Sequence, residues 1–215
     1  LLKRDEKKLE ALPDEYSKLY LAIDGKLCAV ICIFDPIREE APEIIDGLRK
    51  LGISKICMMT GDAEKTAAAV AAQLHLDEFH AEVLPGTKAE FVRKEHAAGR
   101  KVIMIGDGVN DTPALSEADV GIAISDGAAI AREVADVTIA ADNLRELVFL
   151  RKLSMALMRR IHSNYNFIIG FNALLIALGV GGVLPPATGA LLHNGSTIVT
   201  GLKSMTNLLE EEKSA

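Results

Sequence analysis

From Ile161 to Leu202 the sequence has no Asp, Glu, Lys or Arg, although charged residues are spread through positions 1 to 160. The two parts are built for different solvents. As helix, 42 charge-free residues run about 60 Å, roughly twice the ~30 Å hydrocarbon thickness of a bilayer, so the stretch predicts two crossings rather than one. Cysteine is also scarce: Cys28, Cys32 and Cys57 sit in apolar strand-like runs with no C-x-x-C pair. That excludes a disulfide framework and predicts buried core thiols in a reducing compartment. There is no basic surplus either. A net charge of −6 with no clustered Lys or Arg excludes nucleic acid as a partner. The opening residues LLKRDEKKLE lack the apolar core of a signal peptide and read as an interior cut point.

Within the charge-free stretch, Pro185-Pro186, preceded by Gly179, Gly181 and Gly182, supplies the break between Asn164–Leu184 and Ala187–Met205. Arg151, Lys152, Arg159 and Arg160 precede the first crossing, and Lys203 and Lys213 follow the second. The excess of cations at both ends predicts that residues 1–160 and the C-terminus are cytoplasmic in an integral membrane protein, with the plasma membrane as its expected location. A buried helical hairpin in a soluble protein is the competing reading.

Before the hairpin, Val- and Ile-rich runs alternate with helical patterns. Strands are expected at Lys26–Phe34, Lys55–Thr60, Lys101–Gly106, Val120–Ile124 and Val137–Ala140; helices at Pro42–Leu51, Asp62–His75, Asp111–Glu117 and Ala128–Ala135. Such alternation predicts an α/β fold, a parallel sheet with helices on both faces, whose ligands gather at the carboxyl ends of the strands. The amphipathic segment Asn143–Ser163, apolar at Leu144, Leu147, Leu150, Leu157 and Ile161, runs into the first crossing. Residues Tyr20–Phe34 fit the alternation poorly and read as the tail of an inserted domain.

Two loops carry the strongest chemical signal. After the strand at Lys55–Thr60, Thr60-Gly61-Asp62 opens a helix, so a hydroxyl and free backbone N–H groups converge where an anion would be held. After Lys101–Ile105 comes G-D-G-V-N-D, residues 106–111: Gly106 and Gly108 let the backbone turn and approach a ligand, and Asp107 and Asp111 present hard oxygens suited to Mg²⁺. Between them Lys88, in L-P-G-T-K at a helix start, offers a cation to a phosphoryl oxygen.

In this order, Thr60-Gly61-Asp62, Lys88 and Gly106-Asp107-Gly108-Val109-Asn110-Asp111, followed by Pro113-Ala114-Leu115, resemble the P-type ATPases; Asp35-Pro36 with Arg38 resembles that family's hinge strand. The resemblance covers nearly the whole chain and implies a haloacid-dehalogenase-like fold with a two-helix transmembrane hairpin. It implies the tail of a nucleotide-binding domain at 1–34, a phosphorylation domain at 35–142, a stalk helix at 143–163, the hairpin at 164–205 and a cytoplasmic tail at 206–215. It further implies ATP and Mg²⁺ as cofactors. Asp107 would hold the metal with Asp111, Asn110 and Asp111 would organise the phosphate site, Thr60 and Gly61 would bind the phosphoryl group, Lys88 would stabilise its charge, and Asp62, Gly106 and Gly108 would shape the cofactor loops. The family's nucleophilic Asp lies in a D-K-T-G-T loop, which these residues do not contain. The chain by itself is therefore expected to be inactive and to work with the remainder of a pump.

The absence of acidic residues from the crossings disfavours a calcium or proton pump, and the hairpin topology resembles the heavy-metal-transporting subgroup. In the second crossing His193, Ser196, Thr197, Thr200 and Ser204 share one helical face, with Asn194 beside it. An imidazole with hydroxyl and amide oxygens suits Zn²⁺, Co²⁺ or Mn²⁺ better than Cu⁺. The competing role for His193 is a helix-packing hydrogen bond. Asn164, Tyr165, Asn166 and Asn172 on the first crossing are weaker candidates. Two other functions fit the same residues: a membrane-tethered phosphatase of this fold, and a non-catalytic partner or remnant of a pump.

Overall fold

The computed structural model describes residues 16–33, 35–107, 111–124, 133–140 and 143–209. The chain divides into two units, Leu1–Val148 and Phe149–Ala215.

In the first unit, β1 (Ser17–Ile23) and β2 (Lys26–Ile33) form an antiparallel hairpin. Asp24 and Gly25 close it with φ of 50° and 75°, the paired positive dihedrals that a two-residue turn needs to match strand twist. The sequence reading took this segment as a tail and missed β1. Helix α1 (Ala41–Lys50) follows, then β3 (Cys57–Met59), α2 (Glu64–Gln73), β4 (Glu78–His80), α3 (Pro85–Ala97), β5 (Ile103–Gly106), α4 (Thr112–Glu117), β6 (Val120–Ile124) and β7 (Val137–Ile139). The expected parallel pairing is present in two ladders, β3–β4 and β5–β6–β7. Besides β1, two elements are not evident in the sequence: β4, only three residues long, and most of α3, of which only the start shows. The helix expected at Ala128–Ala135 falls largely outside the described residues, as do Lys213, Gly108 and Asn110.

Ala89, Val92, Met104, Ala114 and Leu115 make the buried core, with Met59, Val102, Ala118 and Val134 packed against it. Strands β3 and β5 thus meet α3 and α4 through one apolar cluster. The cysteines are a correction: Cys28 and Cys32 are exposed, because β2 has no layer burying either of its faces among the described residues, and Cys57 on β3 is half-buried.

Carboxylates fix the amino ends of the strands. Asp77 accepts the Ile56 N–H at 2.7 Å and pairs with Arg49; Asp119 accepts the Val102 N–H at 2.8 Å and pairs with Lys101 and His96; Asp136 accepts the Gly121 N–H at 2.8 Å. The first two satisfy backbone donors just before β3 and β5, and the third satisfies one inside β6, a residue before its pairing with β7 begins. Glu95, 7% exposed, takes Arg100 and Lys55.

The second unit is two helices. Helix α5 (Glu146–Val180) is uninterrupted where a stalk and a crossing were expected to join, and α6 (Pro186–Ser204) follows. The break begins earlier than Pro185-Pro186. Gly182, at φ 73°, ends α5, with its own N–H bonded to the Gly179 carbonyl and the Val183 N–H bonded to that of Leu178, a left-handed helix stop. Pro185 and Pro186 then start α6, where a missing N–H costs nothing. Among the described residues α5 alone is long and apolar enough to cross a membrane, with a mean hydropathy of 1.4 in its best window. Helix α6 falls short of that measure because His193, Asn194 and a run of hydroxyls lower its hydropathy.

Two outcomes follow from this packing. Leu115→Ala should cost about 2–5 kcal/mol of stability, whereas Leu84→Ala, at a 69% exposed position, should stay within about 0.5 kcal/mol; denaturant unfolding of the detergent-solubilised chain compares them. The Arg100 guanidinium beside Glu95 holds that carboxyl down to about 2 from 4.5, and Lys101 and Arg49 hold Asp119 and Asp77 below their usual range. Folded-state values below unfolded ones give stability that is full above the ordinary carboxylate range and is lost as pH falls from there through the depressed folded-state values. Circular dichroism against pH should show the α/β unit weakening from about pH 4.5 downward, and Glu95→Gln should flatten that slope.

Candidate functional site

Strand β5 ends at Gly106, and Asp107 stands exposed immediately after it. Asp111 follows at the start of α4, 7% exposed. Its backbone carbonyl accepts the N–H groups of Ala114 and Leu115, both at 2.9 Å, so the residue starts the helix that carries two core side chains. Its carboxylate lies over Gly106: a Cβ there would stand 2.8 Å from the Asp111 Cβ and Cγ and closer still to Oδ2. Only glycine leaves room.

Helix α3 begins at Pro85, which puts Lys88 in its first turn. The Lys88 Nζ donates to Asp111 Oδ1 at 2.6 Å, with side-chain exposures of 16% and 9%. Two opposite charges this far from water are stable only as a pair. The structure therefore brings together Lys88, Gly106 and Asp111 from three elements.

Thr60, Gly61 and Asp62 link β3 to α2. The Thr60 hydroxyl donates to Asp62 Oδ2 at 2.6 Å, and the Asp62 N–H returns a bond to Thr60 Oγ1 at 3.1 Å. The loop is also tied to the end of β4: the Thr60 N–H donates to the His80 carbonyl, the Val83 N–H to the Thr60 carbonyl and the Glu82 N–H to the Asp62 carbonyl, each at 2.9 Å. Glu82 accepts a φ of 53° to make that closure. The nearest atom to a Cβ built on Gly61 is the Val83 carbonyl oxygen at 3.9 Å, which leaves the backbone there open to approach. Asn110 and Gly108 lie outside the described residues.

For a hard cation, the donors divide unequally. Asp111 gives Oδ1 to Lys88 and is buried, and Asp107 is exposed at the strand end; one solvent-facing and one buried carboxylate fit Mg²⁺, an ion that keeps several of its waters and takes one or two carboxylates.

In the two-helix unit, the His193 ring Nδ1 is 2.8 Å from Asn172 Oδ1 on α5. The Ser196 and Thr197 hydroxyls both donate to the His193 carbonyl, at 2.7 and 3.1 Å, and those of Thr200 and Ser204 donate to the carbonyls of Ser196 and Thr200. Asn164 Nδ2 donates to Ser204 Oγ at 2.9 Å. His193 and Ser204 thus bond across to α5, in the competing role for His193, while the hydroxyls of Ser196, Thr197, Thr200 and Ser204 turn back on α6 itself.

Residues 2–119 match the model of the haloacid dehalogenase-like hydrolases. The chain is 46% identical over 176 residues to a copper-transporting ATPase of Rhizobium meliloti, covering 82% of this chain and 21% of that protein. It is 43% identical over 181 residues to a zinc-exporting P-type ATPase of Mycobacterium marinum, covering 84% of this chain and 25% of that protein. A zinc-transporting PIB-type ATPase solved in its E2.Pi state superposes with a TM-score of 0.79 at 28% identity, over 96% of this chain and 33% of that one. The chain spans about a fifth to a quarter of the length of these curated relatives.

Lys88→Met should leave Asp111 a buried unpaired charge and cost about 3 kcal/mol. Adding Asp111→Asn should recover part of it, with a coupling of about 1–3 kcal/mol in a double-mutant cycle measured by denaturant unfolding.

Proposed function

The chain belongs to the haloacid dehalogenase-like hydrolase family, and from that premise we propose that it is the C-terminal part of an ATP-driven transition-metal cation pump. The observation that carries this reading is the Lys88–Asp111 pair closed over Gly106 at the carboxyl end of β5, beside an exposed Asp107. Its relatives are heavy-metal P-type ATPases, membrane proteins that use ATP.

In this function the nucleophile is an aspartate outside these residues. The phosphoryl group it takes up is held by the Thr60 hydroxyl and the Gly61 N–H, on a loop already turned by the Thr60–Asp62 bonds. Lys88 faces the group with a charge kept in place by Asp111. Asn110 completes the phosphate contacts, and Asp62, Gly106 and Gly108 shape the loops that approach ATP. Phosphoryl transfer asks for this kind of fixed positive surround more than for covalent help. Asp107, with Asp111 behind it, would hold Mg²⁺, which when bound neutralises charge on the transferring oxygens.

Residues 1–34 belong in this reading to a nucleotide domain, 35–142 to the phosphorylation domain, 143–163 to a stalk, 164–205 to a transmembrane hairpin and 206–215 to a cytoplasmic tail. The membrane is the plasma membrane, with residues 1–160 inside. The cargo is a divalent ion of the Zn²⁺, Co²⁺ or Mn²⁺ type, with His193, Asn194, Ser196 and Thr197 on its path. An imidazole among oxygens carries that preference over Cu⁺, against a relative named for copper.

The whole open reading frame that encodes these residues, expressed and purified in detergent, should take label from the γ-phosphate of ATP. The label should be stable to acid and released by hydroxylamine, which cleaves acyl phosphates. Lys88→Ala should cut it by about tenfold or more. No hydroxylamine-labile label would sink the pump reading; hydrolysis stimulated by Cu⁺ above Zn²⁺, Co²⁺ and Mn²⁺ would reverse the metal assignment alone.

A further inference from the structure

Strands β3 and β4 pair in parallel with Cys57 opposite Glu78 and Met59 opposite His80. Directly paired residues, and those two apart along a strand, share one face of a ladder. Cys57, Glu78 and His80 therefore stand together, and their ligand atoms lie within 4.8 Å of one another. Among the described residues no other group of three His, Cys, Asp or Glu side chains comes this close. All three are half-buried.

The surroundings orient the set. The Phe91 ring on α3 meets the His80 ring edge-on with centroids 4.8 Å apart, and His80 Nε2 is 2.9 Å from Glu78 Oε1. Lys55 ion-pairs with Glu78 and also with Glu95, the latter at 3.4 Å. Glu78 can thus be given up to a cation while the ammonium keeps a carboxylate. Met59, on the same face, is packed against the core and is not free to ligate.

We propose that Cys57, Glu78 and His80 form a site for one divalent cation of the Zn²⁺ type at the β3–β4 edge. Sulfur, imidazole nitrogen and carboxylate oxygen suit a borderline ion, not Mg²⁺ or Ca²⁺, and three protein ligands leave a fourth position to water. Coordination replaces the S–H bond of Cys57 by a metal–sulfur bond and releases one proton to solvent. The site shares no side chain with the phosphate loops or the His193 face and does not rest on the pump reading. It does touch the loop through the backbone, since the His80 carbonyl accepts the Thr60 N–H at 2.9 Å.

The test titrates the full chain in detergent with Co²⁺ and then Zn²⁺, following the thiolate-to-cobalt charge-transfer absorption. The expected result is a band that saturates near one equivalent, is bleached by Zn²⁺, is lost in Cys57→Ser and persists in Cys28→Ser and Cys32→Ser. His80→Gln should weaken Zn²⁺ by about tenfold or more, and Lys55→Met should tighten it by freeing Glu78. Zn²⁺ should also raise the unfolding temperature of the parent and not of Cys57→Ser, each compared with its own metal-free form; this one-atom change keeps the test open if His80→Gln does not fold. A band that survives Cys57→Ser, the absence of any saturable band, or a Zn²⁺ affinity in Cys57→Ser within about twofold of the parent would overturn the site.

Discussion

The ion pair between Lys88 and Asp111 is the contact on which the α/β unit turns. Burying both charges is costly, and each is tolerable only because the other is 2.6 Å away. Asp111 is also the residue whose carbonyl starts α4, and α4 delivers Ala114 and Leu115 to the core at 0% and 1% exposure. Leu115 in turn presents its carbonyl oxygen to Gly121, where a Cβ would come within 2.7 Å. Chemistry and packing share one residue. A change at Asp111 reaches α3 through Lys88, β5 through Gly106 and β6 through Leu115, so the charged centre cannot relax without moving the apolar one.

Aspartates at the two ends of the strands do different work. Asp77, Asp119 and Asp136 sit at amino ends, accept backbone N–H groups and, in the first two cases, pair with nearby cations. Their charge is consumed in holding strands in register. At the carboxyl ends Asp107 lies exposed after β5, and Asp111 is paired with Lys88 of α3. A parallel ladder makes this division available, because all its strands end on one side.

Much of this was legible in the residues. The G-D-G-V-N-D run, T-G-D and the L-P-G-T-K helix start announced loops at strand ends, since glycine and proline act locally and spacing alone reveals them. The structure adds that Lys88 meets Asp111, which no local pattern encodes because the partners lie on separate helices. The same holds for Cys57: among apolar neighbours it reads as a core thiol, and only strand pairing sets it beside Glu78 and His80. Strand β4, three residues of Glu-Phe-His, is too short to show a period. The run of the stalk into the first crossing was legible, because nothing between Glu146 and Ile169 is Gly or Pro, so the backbone hydrogen bonds continue while the side chains change character.

Helix α6 shows how hydroxyls can be carried on a helix with their donors satisfied. Ser196, Thr197, Thr200 and Ser204 each return their hydroxyl proton to a carbonyl three or four residues earlier, and His193 Nδ1 meets Asn172 Oδ1 on α5. In hydrocarbon an unpaired hydroxyl or amide is expensive, whereas a back-bonded hydroxyl has spent its donor and keeps only lone pairs. A face of such lone pairs is electron-rich without being charged. It can accept a passing cation weakly and release it, which a buried carboxylate, with its full charge, does not do as readily. Low mean hydropathy in α6 is thus offset by back-bonding along the helix, which lowers the cost of packing its hydroxyls beside α5 in apolar surroundings.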